Sequence, residues 1–137
     1  MKKTLILICA AIGMLAASCT PQNRTVENPF IEAANTETLD IAKIDLSDTA
    51  TVLHINAYFR PKNWIRIDSK TYLQADGVKY PVTGTEEIQL DSLFWMPETG
   101  RASFVLKFGP LPKRTKSFDF IESDCDDCFK VYGVDLT

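Results

Sequence analysis

This sequence of 137 residues is poor in histidine and glycine. It has one histidine, His54, and six glycines that stand apart from one another. A phosphate-cradling loop and the dinucleotide fingerprint both need closely spaced glycines, so neither is present. The Gly-x-Ser-x-Gly turn that would present a nucleophile to a histidine is also lacking. We therefore expect no enzyme and no cofactor, and we place His54 on the polar face of a strand.

Basic charge is scarce as well. Lysine and arginine number 15 against 18 aspartates and glutamates. Loss of Lys2 and Lys3 with a signal peptide would leave 13 basic against 18 acidic side chains, a balance of −5. Because phosphate binding needs a basic face, we expect no nucleic-acid partner.

Long hydrophobic runs are absent except at the N-terminus. Two lysines precede an apolar run over residues 5–17, which is too short to span a bilayer and is typical of a signal peptide. Leu15-Ala16-Ala17-Ser18-Cys19 resembles a bacterial lipoprotein box, although its large aliphatic residue stands one position early. We predict a signal over 1–18 and lipidation of Cys19; cleavage by the ordinary signal peptidase is the alternative.

The residue after the cysteine bears on the location. Thr20 replaces the aspartate that favours inner-membrane retention in lipoproteins of enteric type, and no acidic cluster follows that would direct export to the surface. We expect a protein anchored in the cell envelope by its lipid, in the outer membrane and facing the periplasm.

Residues 19–37 are polar, contain two prolines and show no sustained apolar period. We predict a tether here, with a short helical turn over residues 30–34. From residue 38 onwards the apolar residues alternate with a period of two, which indicates strands. The Asp76-Gly77 pair suits a two-residue hairpin turn that opposes Leu73 to Tyr80, and Pro81 indicates a sheet edge.

About eight or nine short strands are predicted in some hundred residues, without a segment of helical period. We predict an all-β fold, an immunoglobulin-like antiparallel β-sandwich over residues 38–137, rather than a barrel. The expected strands cover 39–46, 51–59, 64–68, 71–75, 78–82, 87–95, 101–108, 116–121 and 129–136.

Only two cysteines fall in the folded domain, Cys125 and Cys128. In an oxidising compartment they are expected to form a disulfide that stiffens a turn. A redox-active pair is the alternative, but the neighbouring acids would raise the thiol pKa values and disfavour the reactive thiolate. Two cysteines and one distant histidine do not make a zinc site, so we expect no metal.

Three aromatic residues fall out of register with the inward-facing set: Trp64, Tyr72 and Trp95. Exposed aromatic side chains can contact sugar rings or peptides. We therefore treat these three residues as a candidate binding surface, with a glycan as one kind of ligand.

Three stretches carry a resemblance to a known family: TYLQADGVKY (71–80), LDSLFWMPE (90–98), and the block from Pro110 through SFDFIE (117–122) to the two cysteines. They resemble a small β-domain of exported lipoproteins from anaerobic gut bacteria, over residues 28–136. In that family the domain often precedes a thioredoxin-like domain of the disulfide-reductase class. This sequence stops at Thr137, where that domain would begin, so we expect its activity to be missing here.

Together these observations favour a lipid-anchored, non-enzymatic binding or interaction module of the cell envelope. Two alternatives remain open. The Cys125 and Cys128 pair could serve a separate thioredoxin-like partner protein as a redox accessory, or the aromatic residues could bind a glycan.

Overall fold

The structure, a computed structural model, describes residues 20–137. The predicted signal peptide, 1–18, and Cys19 lie outside the described residues. Within residues 20–137 all regular structure is β-strand, and no helix is present. The strands are β1 (Asn23–Glu27), β2 (Ile31–Ala34), β3 (Leu39–Ser47), β4 (Thr51–Tyr58), β5 (Trp64–Ile65), β6 (Tyr72–Ala75), β7 (Val78–Glu86), β8 (Phe94–Trp95), β9 (Arg101–Phe108), β10 (Ser117–Ile121) and β11 (Lys130–Asp135).

Nine strands form one curled antiparallel sheet in the order β1-β3-β4-β9-β7-β6-β10-β11-β2, and β5 pairs with β8 separately. The long sheet folds into two layers. The first part of β7 pairs with β6, and its second part, from Val82 onwards, pairs with β9 through a register that contains a bulge between Val82 and Gly84. On the other side, β1 pairs with β3 and β2 with β11. Strands that pass from one sheet to the other in this way make the corners of a sandwich.

Alternating apolar side chains of both layers form the core. Ile55 and Leu53 on β4 and Leu106 on β9 are fully buried, as the period of two requires. Phe108 of one layer meets Phe120 of the other edge to face, with ring centroids 6.4 Å apart. The predicted all-β antiparallel sandwich is confirmed, with eleven strands where about eight or nine were expected.

The hairpin at Asp76-Gly77 has the expected register, with Leu73 opposite Tyr80 and Ala75 opposite Val78. Both turn residues have positive φ, 50° and 79°, as a two-residue turn of this kind needs. The sheet edge predicted from Pro81 is wrong for this hairpin, because β6 also pairs with β10 and β7 with β9. Pro81 itself lies in the part of β7 that pairs with β6 alone, so its missing N–H costs no ladder bond.

Two expectations are corrected. The prediction of a tether over 19–37, with a helical turn at 30–34, is wrong for 23–27 and 31–34, which are strands. Both are edge strands with mostly exposed side chains, so they show no apolar alternation. The strand predicted over 87–95 is reduced to Phe94–Trp95, because Glu87 and Asp91 adopt positive φ and turn the chain.

The sandwich has two ends. We call one the N-terminal end: residues 20–22, the β3–β4 turn at 48–50 and the segment 109–116 meet there, since Asn23 pairs with Ser47 and Thr51 with Phe108. We call the other the ribbon end: β4 finishes at Tyr58 there, opposite the first residue of β9. The β5–β8 pair and the β10–β11 loop both lie at the ribbon end.

Candidate functional site

The pairing of β4 with β9 continues beyond both strands as a narrow two-stranded ribbon. The Phe59 N–H donates to the Gly100 carbonyl (3.0 Å), and the Met96 N–H donates to the Asn63 carbonyl (2.7 Å). The β5–β8 pair extends this ladder. We call residues 59–67 and 91–100 the ribbon; they project from the ribbon end of the sandwich.

One face of the ribbon packs on the core. Ile65 and Met96 are buried, and the Phe94 ring lies 6.2 Å from the Phe104 ring. Because side chains alternate along a strand, the other face carries Trp64 and Trp95. These two residues are direct cross-strand partners, and their exposed fractions are 47% and 61%. The ribbon therefore presents two tryptophans side by side to solvent.

Tyr72 lies apart, on β6 in the second layer. Its hydroxyl donates to the Asp124 carboxylate at 3.2 Å, and the Lys79 ammonium lies 4.7 Å from its ring centroid. Desolvation, followed by the nearby Asp124 charge, raises the Tyr72 pKa above its ordinary value. Of the three residues of the predicted binding surface, Trp64 and Trp95 therefore lie side by side, whereas Tyr72 lies elsewhere and contacts Asp124 and Lys79.

A cleft of about 580 Å³ opens beside Trp64. It lies between the ribbon and the loop that joins β10 to β11. Its walls combine aromatic side chains, Phe59, Trp64 and Phe129, with the polar side chains of Asn63, Arg66 and Asp127. An apolar cleft with a few convergent polar groups is the usual form of a small-ligand site.

The Cys125–Cys128 disulfide forms part of the cleft wall. The two Cα atoms are 5.3 Å apart; Cys128 is buried and Cys125 is exposed. The Asn35 side-chain amide donates to the Cys128 carbonyl at 2.8 Å and ties the loop to the end of β2. The disulfide therefore holds one side of the cleft in place.

Removing this disulfide should have a moderate effect on stability. The bond closes a ring of only four residues, so the unfolded chain loses little entropy, worth about 2 kcal/mol. We expect the Cys125→Ser/Cys128→Ser variant to lose about that much unfolding free energy in urea titrations. A loss above about 5 kcal/mol would contradict this view of the loop.

Glu122 links the two sides of the cleft through hydrogen bonds to the backbone. It is buried, with 6% of its surface exposed. One carboxylate oxygen accepts the Asp68 N–H (3.0 Å), just past the ribbon, and the other accepts the Phe129 N–H (2.9 Å) in the disulfide loop. Burial raises its pKa above the ordinary value, and the two N–H donors oppose that shift. Both oxygens are thus engaged in holding the backbone.

This raised pKa predicts a pH dependence. A group with a raised folded pKa contributes stability that is complete below its unfolded pKa of 4.5 and is lost as the pH rises through the folded value. We expect the unfolding free energy of the wild type, relative to Glu122→Gln, to fall as the pH rises above about 4.5. A difference that is constant or rises over this range would contradict the assignment.

Arg66 braces the base of the ribbon. Its guanidinium lies 3.2 Å from the Asp91 carboxylate and 3.5 Å from that of Asp68. The Asp91 carboxylate also accepts the Ser69 N–H at 2.8 Å. Hydrogen bonds from Ser69, and then the Arg66 charge, lower the Asp91 pKa. The side chain of Arg66 also lines the cleft, where it could meet an anionic or polar group of a ligand.

Two residues of this site were not predicted from the sequence, Arg66 and Glu122. For Glu122 a signal exists, because it follows the buried Phe118 and Phe120 at the same two-residue spacing. An acid at an inward-facing position of a strand pattern indicates a buried carboxylate. For Arg66 the sequence shows only the nearby Asp68; its shorter contact is with Asp91, 25 residues further along the chain, and the sequence does not indicate that pairing.

His54 lies on β4, away from the cleft. Its Nε2 is 2.8 Å from the Asp45 carboxylate, which also accepts the Thr25 hydroxyl at 2.7 Å. The Thr25 hydrogen bond, with a further contribution from His54, lowers the Asp45 pKa. Among residues 20–137, no group of three or more histidines, cysteines or acids is placed to hold a metal ion.

No protein family, curated protein or solved structure matches this chain. Within the described part of the chain, no helix is long and apolar enough to cross a membrane. The features of the molecule that bear on its function are therefore the ribbon and the cleft beside it.

Proposed function

We propose that this protein is a lipid-anchored lipoprotein of the cell envelope that acts as a non-enzymatic binding module. Its binding site is the Trp64–Trp95 face of the ribbon together with the adjoining cleft. One observation carries the proposal: two tryptophans, the only two in the chain, stand side by side in solvent on a braced ribbon. Exposed large aromatics next to a cleft are typical of contact surfaces.

The polar groups around the cleft favour binding over catalysis. Glu122 uses both carboxylate oxygens on backbone N–H groups, and Arg66 is paired with two aspartates. A general acid or base must be able to reach a substrate proton. Residues that instead hold the ribbon and the loop rigid provide a preorganised surface, which reduces the entropic cost of binding.

The anchoring part of the proposal is tested by metabolic labelling. In a bacterial host supplied with radioactive palmitate, the wild-type protein should take up label and fractionate with the outer membrane. Cys19→Ser should lose the label, whereas Cys9→Ser, the matched control within the signal, should keep it. Equal labelling of the two variants would contradict the anchor.

A glycan is the ligand class that the ribbon favours most. The exposed indole side chains of the paired Trp64 and Trp95 offer apolar surface to sugar rings, and the polar side chains of the cleft offer hydrogen bonds to hydroxyl groups: Asn63, Arg66 and Asp127. Affinity electrophoresis through gels containing soluble glucans, mannans or pectins tests this directly. A gel that retards the wild type but not Trp64→Ala/Trp95→Ala would support a glycan; unchanged mobility in every gel would exclude the tested classes.

The redox alternative depends on the Cys125–Cys128 disulfide at the cleft wall. A partner protein could reach this disulfide at Cys125, which is exposed. Around it lie Asp124, Asp126 and Asp127, all exposed, and negative charge raises a thiol pKa. The binding-module proposal expects a structural bond with a reduction potential below about −300 mV. A clearly higher potential would favour the redox accessory.

A further inference from the structure

The chain is fastened to the domain directly after Cys19. Gln22 is buried; its backbone N–H donates to the Asp48 carboxylate and its side-chain amide to the Leu111 carbonyl, both at 3.0 Å. The Lys113 ammonium donates to the Thr20 carbonyl at 2.9 Å. The folded domain therefore begins within three residues of Cys19, instead of after the tether that the sequence predicted.

This short connection limits the distance between the folded domain and a lipid attached to Cys19. An extended chain spans at most about 3.6 Å per residue, so the three residue steps from Cys19 to Gln22 cover at most about 11 Å. The headgroup region of one leaflet is itself roughly 5–7 Å thick. If Cys19 is acylated, as proposed above and as this inference requires, the N-terminal end of the sandwich lies at the headgroups.

The same end carries a short run of basic side chains. Lys113, Arg114 and Lys116 are exposed on the segment 109–116. The acids at this end are dispersed: Asp48 accepts the Gln22 N–H, Asp135 accepts the Thr137 N–H, and Asp76 lies in the β6–β7 turn. In a chain that is acidic overall, this segment concentrates positive charge where the membrane would be.

We propose that the N-terminal end docks on anionic phospholipid headgroups through Lys113, Arg114 and Lys116. Each such charge near an anionic surface favours docking roughly fivefold. Docking orients the sandwich with its N-terminal end at the bilayer and the Trp64–Trp95 ribbon at the end away from it. The nine residues of β3 span about 30 Å, so the ribbon stands that far from the bilayer, where it can meet soluble or wall-bound ligands.

Energy transfer to lipid tests this orientation. The acylated protein is reconstituted into vesicles of phosphatidylethanolamine and phosphatidylglycerol that contain an acceptor-labelled lipid. A donor dye is attached to Ser117→Cys at the N-terminal end or, in a second sample, to Asp40→Cys near the ribbon end; both positions are exposed. We expect strong transfer from the first position and weak transfer from the second.

Charge reversal provides the decisive comparison. Lys113→Glu/Arg114→Glu/Lys116→Glu should lower transfer from position 117, as should high salt or vesicles of phosphatidylcholine alone. Lys62→Glu/Lys70→Glu/Lys130→Glu, a matched triple at the other end, should change nothing. If the protein floats with the vesicles but the first triple substitution leaves energy transfer from position 117 unchanged, the docking inference is wrong and the lipid anchor stands. If the protein does not float with the vesicles, both the lipid anchor and the docking inference are wrong.

Discussion

Replacing Glu122 by alanine should lower the unfolding free energy by about 2–4 kcal/mol. The carboxylate satisfies the backbone N–H groups of Asp68 and Phe129, both of which are partly buried. An unsatisfied buried donor costs about 1–3 kcal/mol; because the substitution leaves two donors that are only partly buried, we expect the lower part of the summed range. Urea titrations followed by circular dichroism would show the loss as a lower midpoint with an unchanged slope.

Two further variants make this result interpretable. Glu122→Gln keeps one acceptor oxygen and should lose about half as much as the alanine variant. Glu98→Ala removes an exposed glutamate whose ion pair with Lys62 spans 3.4 Å, and such surface pairs contribute at most about 1 kcal/mol. If Glu122→Ala unfolds within about 0.5 kcal/mol of Glu98→Ala, Glu122 does not join the ribbon to the disulfide loop.

Loss of both tryptophans should remove ligand binding while leaving the fold intact. Truncating a central aromatic contact typically costs about 2 kcal/mol of binding free energy, or about thirtyfold in affinity. Trp64→Ala and Trp95→Ala should each show such a loss, and the double variant should show no detectable binding. Because half of each side chain already contacts water, we expect the double variant to lose only about 1 kcal/mol of stability.

The matched control for this pair is Tyr132→Ala. Tyr132 is also an exposed aromatic, with 39% of its surface accessible, but it lies on β11 and is not part of the ribbon. Its removal should leave affinity unchanged in the gels that retard the wild type. Equal losses in the tyrosine and tryptophan variants would mean that general surface hydrophobicity, rather than the ribbon, causes the retention.

Strands buried on one face were predictable because their inward residues are apolar. β4 and β9 alternate clearly, and their predicted limits differ little from the observed ones. Edge strands carry no such signal: β1 shows a partly buried side chain only at Val26. It is held by backbone pairing to β3, which sequence periodicity does not report.

The candidate site was predictable only in part. The outward orientation of Trp64 and Trp95 followed from alternation, but their pairing joins positions 31 residues apart and depends on how β4 and β9 continue. Tyr72 shared the outward orientation, yet it lies in the other layer. The face of a strand on which a residue lies follows from its position in that strand. Which residues share one surface depends on how the strands pair, which the sequence pattern does not report.

Site-specific photo-crosslinking in living cells shows whether the Trp64–Trp95 face contacts a ligand, because it captures a ligand whatever its chemical class. A photoreactive phenylalanine analogue would replace Trp95 in the anchored protein, and Tyr132 in the control. We expect a discrete adduct at position 95 that disappears when Trp64→Ala is added, and no adduct at position 132. The same adducts at both positions, or none at position 95, would mean that the Trp64–Trp95 face is not the binding site.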